Sequence, residues 1–194
     1  MKGRIKFMNL LQAYQLLNMI TEDTEANGYR EEYKNYIIGH KQRVKEFADW
    51  LKENLPELFS EVDLEEFDEL IVAHDESKFS EEEFEAYAQH FYGDKKDSKE
   101  FDEAWEHHYS NNKHHPEFWD GADMDYIYIL EMLCDWGSFS IDKKDFSELS
   151  DYYYSEAQDD EEKNLSENTK ATIEEIIEKI NSIINSSAEE KEVN

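Results

Sequence analysis

Histidine is the residue type whose positions in this sequence point most clearly to chemistry. Six of the seven histidines fall in three clusters, which are His40, His74, and the group His107, His108, His114 and His115. His40 shares a helical stripe with Ile37 and Val44, and His74 follows Ile71 by three residues. Both imidazoles are therefore predicted to face a core, where a buried polar ring needs partners. Histidine is the commonest metal ligand in proteins, so a metal ion is one such partner.

Two aspartates could complete a metal site with these histidines. Asp75 directly follows His74, and Asp135 lies in the apolar stretch EMLCDW, where an acid is rarely buried without a partner. Glu131, one helical turn before Asp135, is either an extra ligand or a partner of a ligand. Each feature alone also fits an ordinary core or surface residue. Together, several buried imidazoles converging on two carboxylates are most simply satisfied by a metal ion.

The order of these residues resembles the HD superfamily of metal-dependent phosphohydrolases, in which a histidine precedes a His-Asp pair, further histidines and a late aspartate. The segment HDESK, from His74 to Lys78, is similar to the His-Asp-x-x-Lys form that is common in the superfamily. The stretch AWEHHYSNNKHHPEFW, followed by EMLCDW, looks like an uncharacterised branch of HD-like proteins found in bacteria and phages. The resemblance covers roughly residues 36–140.

The resemblance implies a set of metal ligands and two catalytic residues. Asp75 would bridge two ions and Lys78 would contact a substrate phosphate, so these two are the expected catalytic residues. Two or more of the later histidines would hold a second ion, with His108 preferred on its helix. The expected metal ligands are His40, His74, Asp75, His108, His114, His115 and Asp135. Such a set suits one or two divalent ions of Mn, Fe, Co, Ni or Zn, and suits Mg less well.

The activity implied by the resemblance is hydrolysis of a small phosphorylated substrate, such as a nucleotide, by a metal-activated water. The chain departs from the superfamily pattern in two respects. Residues 41–73, which separate His40 from His74, include Pro56, and the HH…HH run is denser than usual. These departures leave the metal count and the chemistry open. One alternative is a di-iron HD-like oxygenase, and another is a non-enzymatic acidic protein that mimics DNA.

The elements that must position these residues are predicted to be helices. The sequence has two prolines, six glycines and no long alternation of Val, Ile or Thr, so strands are not indicated. We predict an all-α fold, a single HD-like helical bundle with a C-terminal helix. Periodic apolar residues predict helices over residues 5–20, 29–54 and 124–136, with a polar loop at 21–28.

Capping signals predict where further helices begin. Asp63 with Glu66, and Ser80 with Glu83, read as capping boxes for two of them, and a third is expected to start near Ser98. The adjacent histidines at 114 and 115 precede a proline and are predicted to lie on a loop.

The predicted organisation is one domain. Residues 1–28 form an N-terminal helix and loop, residues 29–140 the HD-like core, residues 141–185 C-terminal helices packed on that core, and residues 186–194 a disordered tail. An isoleucine seam at 173–184 could pack on the domain or pair with another chain, which makes a homo-oligomer possible.

The charge of the chain restricts its partners. Its 20 basic and 49 acidic residues give a net charge of -29, whereas nucleic acids and anionic membranes attract basic surfaces. A small phosphorylated molecule is therefore the expected partner, with no nucleic acid and no membrane. Cys134 is the single cysteine, so no intrachain disulfide is expected and a reducing cytoplasm is the predicted location. Polar residues interrupt the apolar N-terminal stretch, which is typical of an amphipathic helix rather than a signal peptide.

Overall fold

The computed structural model describes residues 10–96, 98–141 and 146–192. Within these ranges the chain is helical and contains no β-strand, which confirms the all-α prediction. The α-helices are α1 (Leu10–Asn54), α2 (Leu64–Ala73), α3 (Phe84–Tyr92), α4 (Lys99–Asn111), α5 (Tyr126–Ser138), α6 (Ser147–Tyr152) and α7 (Glu167–Glu192). Short 3₁₀ turns at Pro56–Phe59, Glu76–Phe79 and Pro116–Trp119, and a π-helical turn at Tyr153–Ala157, lie between them.

Two of the predicted helix starts are confirmed by capping hydrogen bonds. Asp63 Oδ1 accepts from the backbone N–H groups of Glu65 and Glu66 at 2.9 and 3.3 Å, so it caps α2. Ser98 Oγ accepts from the N–H of Phe101 at 3.2 Å and caps α4. These oxygens satisfy amide groups that the first turn of a helix leaves free.

The predicted capping box of α3 is wrong. The residue that precedes α3 is Glu83, and no side chain caps the helix. The backbone carbonyl of Ser80 accepts from the N–H of Phe84 at 3.0 Å, but Ser80 Oγ is buried without a hydrogen-bond partner in the described chain. The Glu83 side chain is 0% exposed and hydrogen-bonds two histidines of α4, so those partners, and not the helix start, determine its position.

α1 is one continuous helix where the sequence predicted a loop at 21–28, so that loop prediction is wrong. The segment has no proline, and a single glycine inside a helix costs only about 1 kcal/mol relative to alanine. A Cβ at Gly28 would meet nothing within 4 Å, so this glycine marks neither a turn nor a close contact. The predicted start at residue 5 lies outside the described residues. Although α1 has 45 residues, neither it nor another helix of the described chain is long and apolar enough to cross a membrane.

The C-terminal helix α7 packs its isoleucines on the rest of the chain. Ile173, Ile176, Ile177 and Ile180 are 0–2% exposed and belong to the main hydrophobic core. The seam that suggested oligomerisation is therefore buried within the chain, and oligomerisation stays a prediction. α7 continues to Glu192, beyond the start of the predicted disordered tail, because its end is rich in Ala, Glu and Lys, which favour helices. Residues 193–194 lie outside the described residues.

The close packing of α1 on α5 brings two distant parts of the chain together. Phe47 on α1 is fully buried, and a Cβ added at Gly137 on α5 would clash with its ring. The missing side chain of Gly137 therefore lets the two helices approach closely. His40 lies two turns before Phe47, and Asp135 lies two residues before Gly137. The contact thus places these two candidate ligands beside each other.

Candidate metal centre

The predicted ligands come from five parts of the chain and meet in the interior. His40 is on α1, His74 and Asp75 follow α2, His108 is on α4, His114 and His115 precede the turn at Pro116–Trp119, and Asp135 is on α5. Of these, His40, His74, Asp75, His108 and His114 are each at most 3% exposed. Side chains that lie far apart in sequence therefore converge in one buried cluster.

The backbone at Asp75 is bent to direct its carboxylate into the cluster. Asp75 has φ 57° and ψ 19°, in the left-handed region that residues with a side chain rarely adopt. α2 ends at Ala73, and His74 forms its C-cap with φ -45° and ψ 128°. Such a conformation costs about 1–3 kcal/mol and persists where surrounding contacts hold it, which is common at functional sites.

A first group of ligand atoms surrounds Asp75 Oδ2. His40 Nε2 lies 3.4 Å from this oxygen and 3.0 Å from Asp135 Oδ1. His74 Nε2 lies 3.6 Å from Asp75 Oδ2 and 3.8 Å from Asp135 Oδ1. Metal–ligand bonds of about 2.1 Å would place neighbouring ligand atoms about 3.0–3.4 Å apart. His40, His74 and Asp75 therefore offer ligand atoms within 4.8 Å of one another, and Asp135 adds an oxygen close to both histidines.

A second group surrounds the other oxygen of the same carboxylate. Asp75 Oδ1 lies 3.2 Å from His108 Nε2 and 3.7 Å from His114 Nε2. One ligand atom each from Asp75, His108, His114 and His115 falls within 4.8 Å of the others. Asp75 thus offers one oxygen to each group, which is the geometry of a bridging carboxylate.

Several of the atoms that face the two groups lack hydrogen-bond partners in the described chain. Buried polar atoms are normally paired, yet in the described structure five of these are not. They are His74 Nε2, His108 Nε2, His114 Nε2, His115 Nε2 and Asp75 Oδ1. His108 Nε2 and Asp75 Oδ1 are close, but they are not aligned for a hydrogen bond. A divalent cation between these atoms would satisfy them.

Two buried glutamates contact the Nδ1 atoms of imidazoles whose Nε2 atoms face the ligand groups. Glu131 Oε1 accepts from His74 Nδ1 at 3.0 Å and lies 3.3 Å from His114 Nδ1, so one oxygen contacts both groups. Glu83 Oε2 accepts from His108 Nδ1 at 2.9 Å. A carboxylate only accepts, so each hydrogen-bonded Nδ1 carries the proton and a neutral ring keeps the Nε2 lone pair for a metal.

The charges of the cluster also favour a cation. Four buried or nearly buried carboxylates, on Asp75, Glu83, Glu131 and Asp135, face one ammonium group, on Lys78. Buried charges are costly unless opposite charges compensate them. Lys78 compensates one of these negative charges, and divalent ions between the ligand atoms would compensate the others.

Without an added cation, protons on the histidines balance these carboxylates. Burial lowers the pKa of His74, but the surrounding carboxylates, led by Asp75, outweigh burial and raise the pKa to about 10. Burial raises the pKa of Asp75, but His74 and Lys78 hold it well below its usual value. His115 differs, because burial and the neighbouring histidines at 114 and 108 lower its pKa well below the ordinary value and keep the ring neutral.

Lys78, the predicted phosphate contact, lies at the edge of the cluster. Its Nζ is 2.6 Å from Asp75 Oδ2, and its side chain is 18% exposed. The ammonium therefore contacts the cluster, and part of the Lys78 side chain is exposed to solvent. Burial lowers the pKa of Lys78, but Asp75 and Asp135 outweigh burial and raise it, so the group stays protonated.

The sequence left open which of the four clustered histidines are metal ligands, and the structure distinguishes among them by position. His107 is 37% exposed and donates Nδ1–H to Glu83 Oε1 at 2.8 Å, so it stands outside both ligand groups. His108, His114 and His115 lie within the second group. Sequence reasoning missed Glu83, although its spacing of four residues from the buried Tyr87 is a signal that it faces inward.

Comparisons with known proteins identify the family and no close relative of known structure. No curated protein and no solved structure matches the chain. A model of a family of unknown function, DUF5662, matches residues 29–179, which include every candidate ligand. This match spans most of the chain, and the protein therefore belongs to the DUF5662 family of unknown function.

Proposed function

We propose that this protein is a metal-dependent hydrolase of small phosphate esters, with two metal positions that share Asp75. The observation that carries the proposal is the set of unpaired Nε2 atoms directed at the two oxygens of one buried carboxylate. Structural histidines in a core are normally hydrogen-bonded at both nitrogens or exposed at one. Here the Nε2 atoms converge, and the Nδ1 atoms of His74 and His108 donate hydrogen bonds to glutamates. This arrangement is typical of metal ligands.

The donor atoms indicate which metals fit. The first position would be formed by His40, His74 and Asp75, with Asp135 close to both histidines. The second would be formed by Asp75 with His108, His114 and His115. Imidazole nitrogen mixed with carboxylate oxygen suits Mn, Fe, Co, Ni or Zn, whereas Mg prefers oxygen alone. The single cysteine, Cys134, is fully buried in the apolar core, and burial raises the pKa of its thiol well above the usual value. It therefore offers no thiolate ligand.

The chain's own residues supply the remaining requirements for hydrolysis. Bound divalent ions would lower the pKa of a water molecule and stabilise charge on phosphoryl oxygens. Asp75 would fix the spacing of the two positions, because its backbone is held in one unusual conformation. Lys78 would bind an oxygen of the substrate phosphate, because its protonated ammonium lies beside Asp75 and its side chain is partly exposed.

The resemblance to HD phosphohydrolases is the reason for proposing this reaction class. The described chain has the helical architecture that the resemblance implies. The residues whose order in the sequence carries the resemblance also lie together, namely His40, His74, Asp75 and Asp135. The substrate is proposed to be small, such as a nucleotide, because a net charge of -29 repels polymeric nucleic acid. A cytoplasmic location and the lack of a membrane partner stay predictions.

Metal analysis combined with a substrate screen tests the proposal. Purified protein should contain about two transition-metal ions per chain and release phosphate from at least one small phosphorylated compound. His74→Ala should lose both properties. The matched control His90→Ala should keep both, because His90 stacks on Phe101 and belongs to neither ligand group. Full metal content and activity in His74→Ala would contradict the proposal.

The same experiments separate the two alternatives. A di-iron oxygenase would contain iron, show its optical absorption and consume oxygen without releasing phosphate. A DNA-mimicking protein would bind basic nucleic-acid-binding proteins, and His74→Ala would leave that binding unchanged.

A further inference from the structure

Each histidine of the second ligand group has a glutamate beside its Nδ1 atom. The first two pairs are His108 with Glu83, at 2.9 Å, and His114 with Glu131, at 3.3 Å. The third pair is His115 with Glu117, whose Oε2 atom lies 3.8 Å from His115 Nδ1. Hydrogen bonds from nitrogen to oxygen span about 2.7–3.2 Å, so Glu117 stands where a partner of His115 would stand but is too far for a hydrogen bond.

The local turn does not explain why Glu117 is buried. The 3₁₀ turns Pro56–Phe59 and Pro116–Trp119 both begin with proline followed by glutamate. An acidic side chain in the first turn of a helix stabilises it from the solvent side, and Glu57 is exposed accordingly. The Glu117 side chain is only 11% exposed, and its Oε2 atom is buried without a hydrogen-bond partner among the described residues. Its position beside His115 accounts for this difference.

The other oxygen of Glu117 faces a segment near the C-terminus. Lys163 Nζ lies 3.8 Å from Glu117 Oε1 and 3.1 Å from Asp160 Oδ2. A buried carboxylate is costly unless a positive charge compensates it, and Lys163 supplies part of that compensation. Because Lys163 lies at Oε1, Oε2 is the oxygen left for His115.

Neighbouring rings restrict the orientation of His115. The Trp105 ring is perpendicular to the His115 ring, with 5.1 Å between centroids. The rings of His108 and His114 have centroids 4.7 and 4.3 Å from that of His115. An imidazole enclosed in this way has little freedom to turn, so its Nδ1 atom stays beside Glu117.

We propose that Glu117 is the positioning residue of His115 and accepts its Nδ1–H when a metal ion occupies the second position. A carboxylate only accepts hydrogen bonds, so this bond would fix the proton on Nδ1 and leave His115 Nε2 for the ion. That Nε2 atom is buried and has no hydrogen-bond partner in the part of the chain that the structure describes. Through Lys163, a segment that supplies no candidate ligand would then support the metal centre. This inference rests on the proposed function.

Calorimetric titration of Mn²⁺ into metal-free protein measures the effect on binding. Glu117→Ala should weaken the second position by about 10- to 100-fold and leave the first unchanged. Glu117→Gln should lose less, because an amide oxygen still accepts a hydrogen bond. Glu57→Ala is the matched control, since Glu57 holds the same place in the other Pro-Glu turn and is exposed. It should bind both ions as wild type does.

Nitrogen-15 NMR of Zn²⁺-loaded protein separates positioning from general structural support. The Nδ1–H signal of His115, assigned by its absence in His115→Gln, should resist exchange with water in wild type and in Glu57→Ala. Glu117→Ala should lose this signal and keep that of His108, which Glu83 holds. Loss of both signals in Glu117→Ala would overturn the positioning role, because it would indicate a general disturbance of the site.

The outcomes distinguish this inference from the proposed function. If wild-type protein binds no metal, the proposed function fails, and the positioning role fails with it. If wild-type protein binds metal and Glu117→Ala binds it as tightly, the positioning role is wrong and the proposed function stands. Weakening of both positions in Glu117→Ala would also overturn the role, because His115 belongs to the second group.

Discussion

The two buried glutamates should affect the two metal positions differently. Glu83 holds His108, which lies only in the second ligand group. Glu131 holds His74 of the first group and lies beside His114 of the second. Glu83→Ala should therefore weaken the second position alone, whereas Glu131→Ala should weaken both.

The size of each effect follows from the hydrogen bonds that are lost. Removing an outer partner of a metal-bound histidine typically lowers metal affinity by about 10- to 100-fold. That change corresponds to about 1.4–2.7 kcal/mol. The estimate agrees with the cost of leaving one buried donor unsatisfied, which is about 1–3 kcal/mol. Glu131→Ala should impose this loss at both positions.

Calorimetric titration of Mn²⁺ into protein stripped of metal measures the two affinities separately. Wild-type protein should show two binding events. Glu83→Gln and Glu131→Gln should recover part of the affinity, because an amide oxygen still accepts from the imidazole but carries no charge. Glu85→Ala is a matched control two residues after Glu83, since Glu85 pairs with the exposed Arg30 instead of a histidine.

Two results would refute this reasoning. If Glu83→Ala binds metal at both positions as tightly as wild type, the hydrogen bond from His108 to Glu83 does not help His108 to act as a metal ligand. Loss of one position in Glu131→Ala together with loss of both in Glu83→Ala would reverse the assignment of the glutamates to the two groups. Circular dichroism of each variant checks that the helices remain intact.

Three further predictions concern stability. Gly137→Ala should lower the free energy of unfolding by about 1–3 kcal/mol, because its Cβ would clash with Phe47, and should reduce metal affinity as α5 moves away from α1. The control Gly28→Ala should be neutral or stabilising by up to about 1 kcal/mol in chemical denaturation, and a loss there would contradict the packing. Stripping the metal should lower Tm, and Tm should rise again with each tenfold addition of Mn²⁺; a constant Tm would exclude a metal bound to the folded state. Ile177→Ala should cost about 2–5 kcal/mol, since Ile177 is 1% exposed, and the loss should not depend on protein concentration. A concentration-dependent loss would mean that the isoleucine seam joins two chains.

The sequence by itself determined the helical fold and the positions of several inward-facing polar residues. Residues three or four positions apart lie on the same face of a helix. The spacing of His40 from Ile37 and Val44 was therefore enough to predict that His40 is buried. Local capping chemistry was likewise enough to locate Asp63 and Ser98. Such local rules failed at residues 21–28, where polar composition was mistaken for a loop inside α1.

Only the tertiary structure decided which side chains meet. The same local rules assigned Glu83 to a helix cap, but packing of α3 on α4 turned it towards His107 and His108. The neighbours His107 and His108 look alike in sequence, yet one is half-exposed and the other buried because they point to different faces of α4. The orientation of Asp75 depends on a left-handed backbone that aspartate does not by itself prefer. Distances between helices far apart in sequence are set by how their side chains pack, and no spacing along the chain encodes them.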